Sequence, residues 1–168
     1  MIEINNLTKK NVDNLLLEKI ADFFLKKHKI AKAEISLVLI SDYKSRSLNY
    51  SYRDIDKKTD VLSFENTDFN YGKDNYLGEI FINLAEMERL NNYKELFIEL
   101  GYDLAELRET IAEYALNRFL LSFIFIHGLL HLVGYKDNVE TKRKIMINEG
   151  YKLLLAFDKE KQLIPPIK

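Results

Sequence analysis

Two hydrophobic periods alternate along the first half of the 168-residue chain, and one dominates the second half. From Asn11 to Lys27 apolar residues recur at helical spacing (Val12, Leu15, Leu16, Ile20, Phe23, Phe24), which predicts an amphipathic helix. Glu34 to Ile40 is apolar and β-branched, the pattern of a largely buried strand. Ser41 and Asp42 supply an N-cap, so Asp42 to Arg53 is expected to form a short helix. Asp60 to Phe64 and Leu77 to Asn83 are two further strand candidates, separated by polar and Gly-containing sequence. After Asn83 the helical period takes over, with helices expected over Leu84 to Leu100 and Leu104 to Ile126. Gly134 is a helix stop, Val139 to Phe157 a final amphipathic helix, and Ile164-Pro165-Pro166 an extended tail. The pattern predicts an α+β fold, one domain over residues 1–168, with a small mixed sheet packed against several helices.

Composition narrows the class. With 47% hydrophobic and 30% charged residues the chain can bury a core and is not a disordered polymer. Six Gly and two Pro leave little room for long irregular loops, and the absence of Cys excludes disulfides, thiolate ligands and a cysteine nucleophile. A net charge of −1 argues against a basic coat for gripping nucleic acid, though not against a local basic groove. Met1 to Lys10 lacks the apolar core of a secretory signal. The apolar run Phe119 to Val133, broken by His127, Gly128 and His131, falls short of the roughly 20 residues a bilayer demands. A buried helix, a cytoplasmic location and no membrane partner are the resulting expectations.

Two of the three histidines carry the chemistry. His127 and His131 stand four residues apart, on one face of the predicted helix, where two imidazoles can reach one ion. Gly134 can turn the chain back and bring Asp137, ten residues after His127, to the same ion as a third ligand. Two imidazoles and a carboxylate with a fourth position open form a recognised catalytic zinc arrangement, here on a helix in the C-terminal third. The spacing is that of the metzincin peptidases, but the general-base Glu that follows their first His is replaced by Gly128, which weakens a peptidase reading. His28, in Lys26-Lys27-His28-Lys29, is expected at a solvated helix end.

The segment His127-Gly-Leu-Leu-His-Leu-Val-Gly-Tyr135 resembles the signature of the YbeY family, bacterial zinc-dependent endoribonucleases that mature ribosomal RNA. Ile35 to Asp42, Leu48-Asn49, Tyr52-Arg53, Thr59 to Phe64 and Leu77 to Ile82 resemble its other blocks in the same order, over roughly residues 11 to 157. Two departures stand out: the family's third His is Asp137 here, and the Pro after the Thr59 block is Glu65. A carboxylate is a competent but harder ligand, so the change bears on metal identity and rate more than on binding.

The resemblance implies a single-strand-specific endoribonuclease of ribosomal RNA processing and ribosome quality control, with one zinc per chain on His127, His131 and Asp137. It implies Arg53 beside the active site as a catalytic, phosphate-gripping residue, where the residues alone favour a salt bridge to Asp54 or Asp56. Lys57, Lys58 and Lys136 are further substrate-binding candidates, and the run Lys142-Arg143-Lys144 offers further RNA contacts, against the commoner reading of charge runs as solvated faces. Tyr52 and Tyr135 could stack on unpaired bases, and Ser63 could line the groove. Implied partners are single-stranded and ribosomal RNA, with ribosomal proteins or assembly GTPases. The alternatives are a ribosome-assembly factor with a structural metal and a metal hydrolase of another substrate.

Overall fold

A computed structural model describes residues 1–67, 75–158 and 163; the expected tail at Ile164-Pro165-Pro166 lies outside them. Four strands form one mixed sheet in the order β1-β2-β4-β3. Strand β1 (Ile2–Asn6) runs parallel to β2 (Glu34–Ile40), β2 runs parallel to β4 (Tyr76–Asn83), and β3 (Val61–Glu65) is antiparallel to β4. The sequence pattern contains no sign of β1. Only Ile2 and Ile4 of its five residues turn toward the core, each half-buried, and backbone pairing with β2 holds the rest.

Side chains alternate across a strand, so the register assigns each helix a face. Ile80 pairs with Leu37 and Ser63, and a Cβ at Gly128 would meet Ile80 Cγ2 at 2.9 Å and Ser63 Oγ at 3.2 Å. Helix α6 (Glu113–Leu132) therefore lies directly on this face of β3 and β4. The opposite face carries Phe64 and Phe81, whose ring centroids are 5.8 Å apart, and Tyr52 of α2 (Asp42–Arg53) packs on Phe64 at 4.7 Å. The sheet is sandwiched there between α6 and α2.

Helix α1 (Asn14–Lys27) starts where Asp13 accepts a hydrogen bond from the Leu16 amide, as a capping residue should. At the start of α2 the expected cap differs. Ser41 occupies the N-cap position without a side-chain bond, and the Asp42 carboxylate is instead drawn to Arg89 and Asn83. The expected helix over 84–100 is broken into α3 (Leu84–Met87), a 3₁₀ turn (Leu90–Tyr93) and α4 (Lys94–Glu99). Arg89 leaves helical geometry at the break and reaches back to Asp42 and Glu86, while Asn92 donates to Glu86. The next expected helix also divides, into α5 (Leu104–Thr110) and α6, because Ile111 is extended and packs its side chain on the core. Helix α7 (Glu140–Phe157) closes the described fold.

By length and composition α6 could cross a membrane, since it extends beyond the apolar run at its N-terminal end, yet 67% of its most apolar window is buried. Phe119, Leu120, Phe123, Phe125, Leu129 and Leu130 on it are essentially inaccessible. It is the central helix of the core.

Candidate metal centre

The metal-ligand geometry begins with how α6 ends. Leu132 is its last residue, and Gly134 follows Val133 with φ +94°, the left-handed conformation that costs Gly little. Gly134 N–H donates to the His131 carbonyl and Tyr135 N–H to the Leu130 carbonyl, both at 3.0 Å, which is a Schellman closure. That closure returns the Tyr135 carbonyl to the helix, where it lies 3.0 Å from His131 Nδ1. A carbonyl can only accept, so Nδ1 carries the proton and Nε2 is left with its lone pair.

Asp137 then comes back over both imidazoles. Its Oδ2 lies 3.5 Å from His127 Nε2 and 3.7 Å from His131 Nε2. The three donor atoms all lie within 4.8 Å of one another. Ligands about 2.0–2.1 Å from a tetrahedral ion are roughly 3.3 Å apart, so a small contraction would bring this group onto one divalent ion. The two rings are nearly perpendicular, 88° with centroids 4.9 Å apart, which keeps them from crowding each other.

The local electrostatics favour the unprotonated forms of His131 and Asp137. Burial, followed by His127, lowers the pKa of His131, and the charge of Arg53 adds to the effect. The His127 imidazole 3.5 Å away is the main influence holding the Asp137 carboxyl down at about 2, so the carboxylate is ionised near neutrality. These residues fit a metal by donor chemistry, spacing and tautomer.

They open into a cleft of about 320 Å³ beside the edge strand β3. Arg53 lines the same cleft, at the last residue of α2, before Asp54 turns the chain with φ +56°. Asp56, one of the two salt-bridge partners considered for Arg53, is taken by Arg46 through two hydrogen bonds of 2.6 Å. Among the described residues no carboxylate pairs with Arg53.

The other sequence candidates divide. Ser63 lines the cleft, and its buried Oγ has no hydrogen-bond partner among the described residues beneath Gly128. Lys58 lies outside the cleft lining and pairs with Asp42 at 3.3 Å and Glu86 at 3.1 Å. Lys136 is exposed and pairs with Glu65 at 2.9 Å, and Lys57 is exposed and unpaired among the described residues. Tyr52 packs on Phe64. Tyr135 contributes its carbonyl to His131, while its side chain packs against the core. His28 is not solvated as expected; it is half-buried at the end of α1, stacked on Phe24 at 4.2 Å, and burial lowers its pKa. Asn92, Tyr93 and Glu95 also line the cleft. They come from the broken α3–α4 segment, where no motif marks them.

Gly128 has a structural explanation. The position that carries a general base in a metzincin peptidase faces Ile80 and Ser63, where even a methyl group would collide. A glutamate there would point into the sheet and not into the cleft.

This fold, with a His-x3-His-x5-Asp group at the end of its central helix, defines a protein with a candidate metal centre. A family model described as Endoribonuclease YbeY matches residues 3–158. The chain belongs to that family. It is 39% identical over 168 residues to the Endoribonuclease YbeY of Helicobacter pylori, covering 98% of this chain and 96% of the relative. It is 38% identical over 137 residues to that of Wolinella succinogenes, covering 80% and 76%. The solution structure of a Thermotoga maritima protein shares the fold, with a TM-score of 0.53, 24% identity and coverage of 95% and 91%.

Proposed function

We propose that this chain is a metal-dependent endoribonuclease of ribosomal RNA maturation, cutting single-stranded RNA in the cytoplasm. The observation that carries the reading is the convergence of three metal donors in one cleft with an arginine that no described carboxylate pairs. The names of the relatives supply the reaction class.

In this reading His127, His131 and Asp137 hold one zinc ion. When bound, such an ion supplies Lewis-acid charge to a phosphodiester and lowers the pKa of water toward neutrality. The Tyr135 carbonyl keeps the His131 tautomer fixed, so the donor side of the ring does not have to reorganise. Arg53 offers a planar fork to the phosphate and offsets the charge that grows on its oxygens. Lys57, exposed and without an ion-pair partner among the described residues, lies outside the cleft lining and would meet only RNA that runs beyond the cleft. Lys58 and Lys136 would have to leave existing ion pairs to join it. The peptidase alternative loses ground because position 128 has no room for a base.

Metal analysis and RNA cleavage test the reading together. The purified chain is expected to hold about one zinc, and the double variant His127→Ala/His131→Ala none. Arg53→Ala should cut cleavage of a single-stranded ribosomal RNA fragment by about 10²- to 10³-fold, the usual loss for one charge-stabilising donor. Full metal occupancy in the double variant, or equal cleavage by wild type and Arg53→Ala, would overturn it.

A further inference from the structure

We propose that Arg143 is a second phosphate-binding residue of the cleft, gripping single-stranded RNA at a phosphate other than the one held at Arg53. The proposal rests on the ribonuclease reading and adds a footprint longer than one phosphodiester.

The basic run Lys142-Arg143-Lys144 opens α7, and only its middle member lines the cleft that holds His127, His131, Asp137 and Arg53. Lys142 and Lys144 are exposed, and Lys144 is paired with Glu140 at 3.2 Å. Arg143 is half-buried, its side chain 34% exposed, and is oriented by its Nη1 alone, 2.8 Å from Glu99 on α4. Glu140 stands farther off, at 3.9 Å. A guanidinium carries five N–H donors, so the fork retains donors without a partner among the described residues. Holding an arginine by one edge presents the other at reduced entropic cost.

Charge in the cleft points the same way. Asp60, Glu95 and Asp137 line it against Arg53 and Arg143, so without a metal the lining is slightly acidic. A divalent ion on the three donors reverses that sign and leaves two arginines, from different helices, facing a polyanion. Two cations on separate helices suit a strand, whose phosphates recur along the backbone and each add a contact.

A binding measurement on the zinc-loaded protein decides the matter. The probe is a fluorescent single-stranded octanucleotide with 2′-O-methyl ribose, read by anisotropy between about 50 and 200 mM salt. Arg143→Met should weaken binding about tenfold at low salt, and the slope of log K against log salt should fall by about 0.7, the loss of one phosphate contact on a single strand. Glu99→Gln removes the negative charge that competes with phosphate but keeps an amide oxygen to hold the Nη1 edge, so binding should tighten.

A merely structural tie between α7 and α4 predicts that Glu99→Gln weakens binding as Arg143→Met does, with the salt slope unchanged. That result, or unchanged binding in Arg143→Met while Arg53→Ala loses affinity, overturns the proposal. Unchanged binding and cleavage in Arg53→Ala would overturn the ribonuclease reading itself.

Discussion

Two clusters of titratable side chains in this molecule use similar residue types to opposite ends. Between α2 and α3, the carboxylates of Asp42 and Glu86 face the cations of Arg89 and Lys58, and Asn83 and Asn92 take further carboxylate lone pairs. At the end of α6, His127 and His131 face Asp137. The first cluster is complete, with two negative charges against two positive and amide donors on the remaining oxygens. The second brings three electron-pair donors together with no internal cation. A metal site is thus marked by the charge it lacks, and a count of acidic residues alone would rank the Asp42–Glu86 cluster first.

Chelation should separate the clusters most sharply. A ligand that binds only the folded state stabilises it by about 2.7 kcal/mol at a hundredfold excess over its Kd. Stripping zinc with a chelator should therefore lower the wild-type melting temperature by several degrees. The His127→Ala/His131→Ala variant should melt at one temperature with or without chelator. A wild type indifferent to chelator would remove the distinction between the clusters.

The second cluster to perturb is the complete one, where smaller effects are expected and should be independent of metal. Glu86 is buried, its side chain 8% exposed, whereas Arg89 and Lys58 are 36% and 40% exposed. Truncating one partner of a fully buried pair costs about 3–5 kcal/mol, but here the stranded cations can reach water. Glu86→Ala should cost about 1–2 kcal/mol, equally in loaded and stripped protein, by urea unfolding. Acid probes the same cluster through Asp42, whose carboxyl is held well below the usual range, first by the Arg89 hydrogen bonds. Because the folded pKa is the lower one, the unfolded chain binds the proton first as pH falls. The stabilisation is complete above the unfolded value near 4 and is lost as pH drops through 4 toward the folded value. Asp42→Asn should therefore flatten the dependence of the urea midpoint between about pH 5 and pH 3.

How far these clusters could be read from the sequence follows from how local they are. The metal donors were legible because a helical repeat fixes His127 and His131, and Gly134 forces the return that delivers Asp137 within ten residues. The Asp42–Arg89 contact spans 47 positions and has no local signature, so Asp42 looked like a cap and 84–100 like one helix. Strand β1 was hidden for the same reason, since parallel pairing with β2 across 33 positions stabilises it more than its own pattern does. Arg143 is one of three RNA-contact candidates in its basic run, and nothing in the run singles it out. Its entry into the cleft depends on how α7 packs, which no spacing along the chain encodes.

The smallest effect lies at the join between the metal loop and the sheet. Lys136, next to Asp137, pairs at 2.9 Å with Glu65, the last residue of β3. The side chains are 51% and 40% exposed, so the pair is worth at most about 1 kcal/mol, or roughly fivefold in a dissociation constant. The two halves are not equivalent with respect to the metal. Glu65→Gln frees the loop and leaves an unpaired cation beside the site, and both changes weaken metal binding. Lys136→Met also frees the loop but removes a charge that repels the ion, so its two consequences oppose each other. Zinc titration against a competing chelator should show the Glu65 variant two- to fivefold weaker and the Lys136 variant close to wild type. The gap should shrink at high salt, which screens exposed charges. Equal weakening in both variants would mean that the pair acts only as a mechanical tether, with its charges playing no part in how the centre holds its ion.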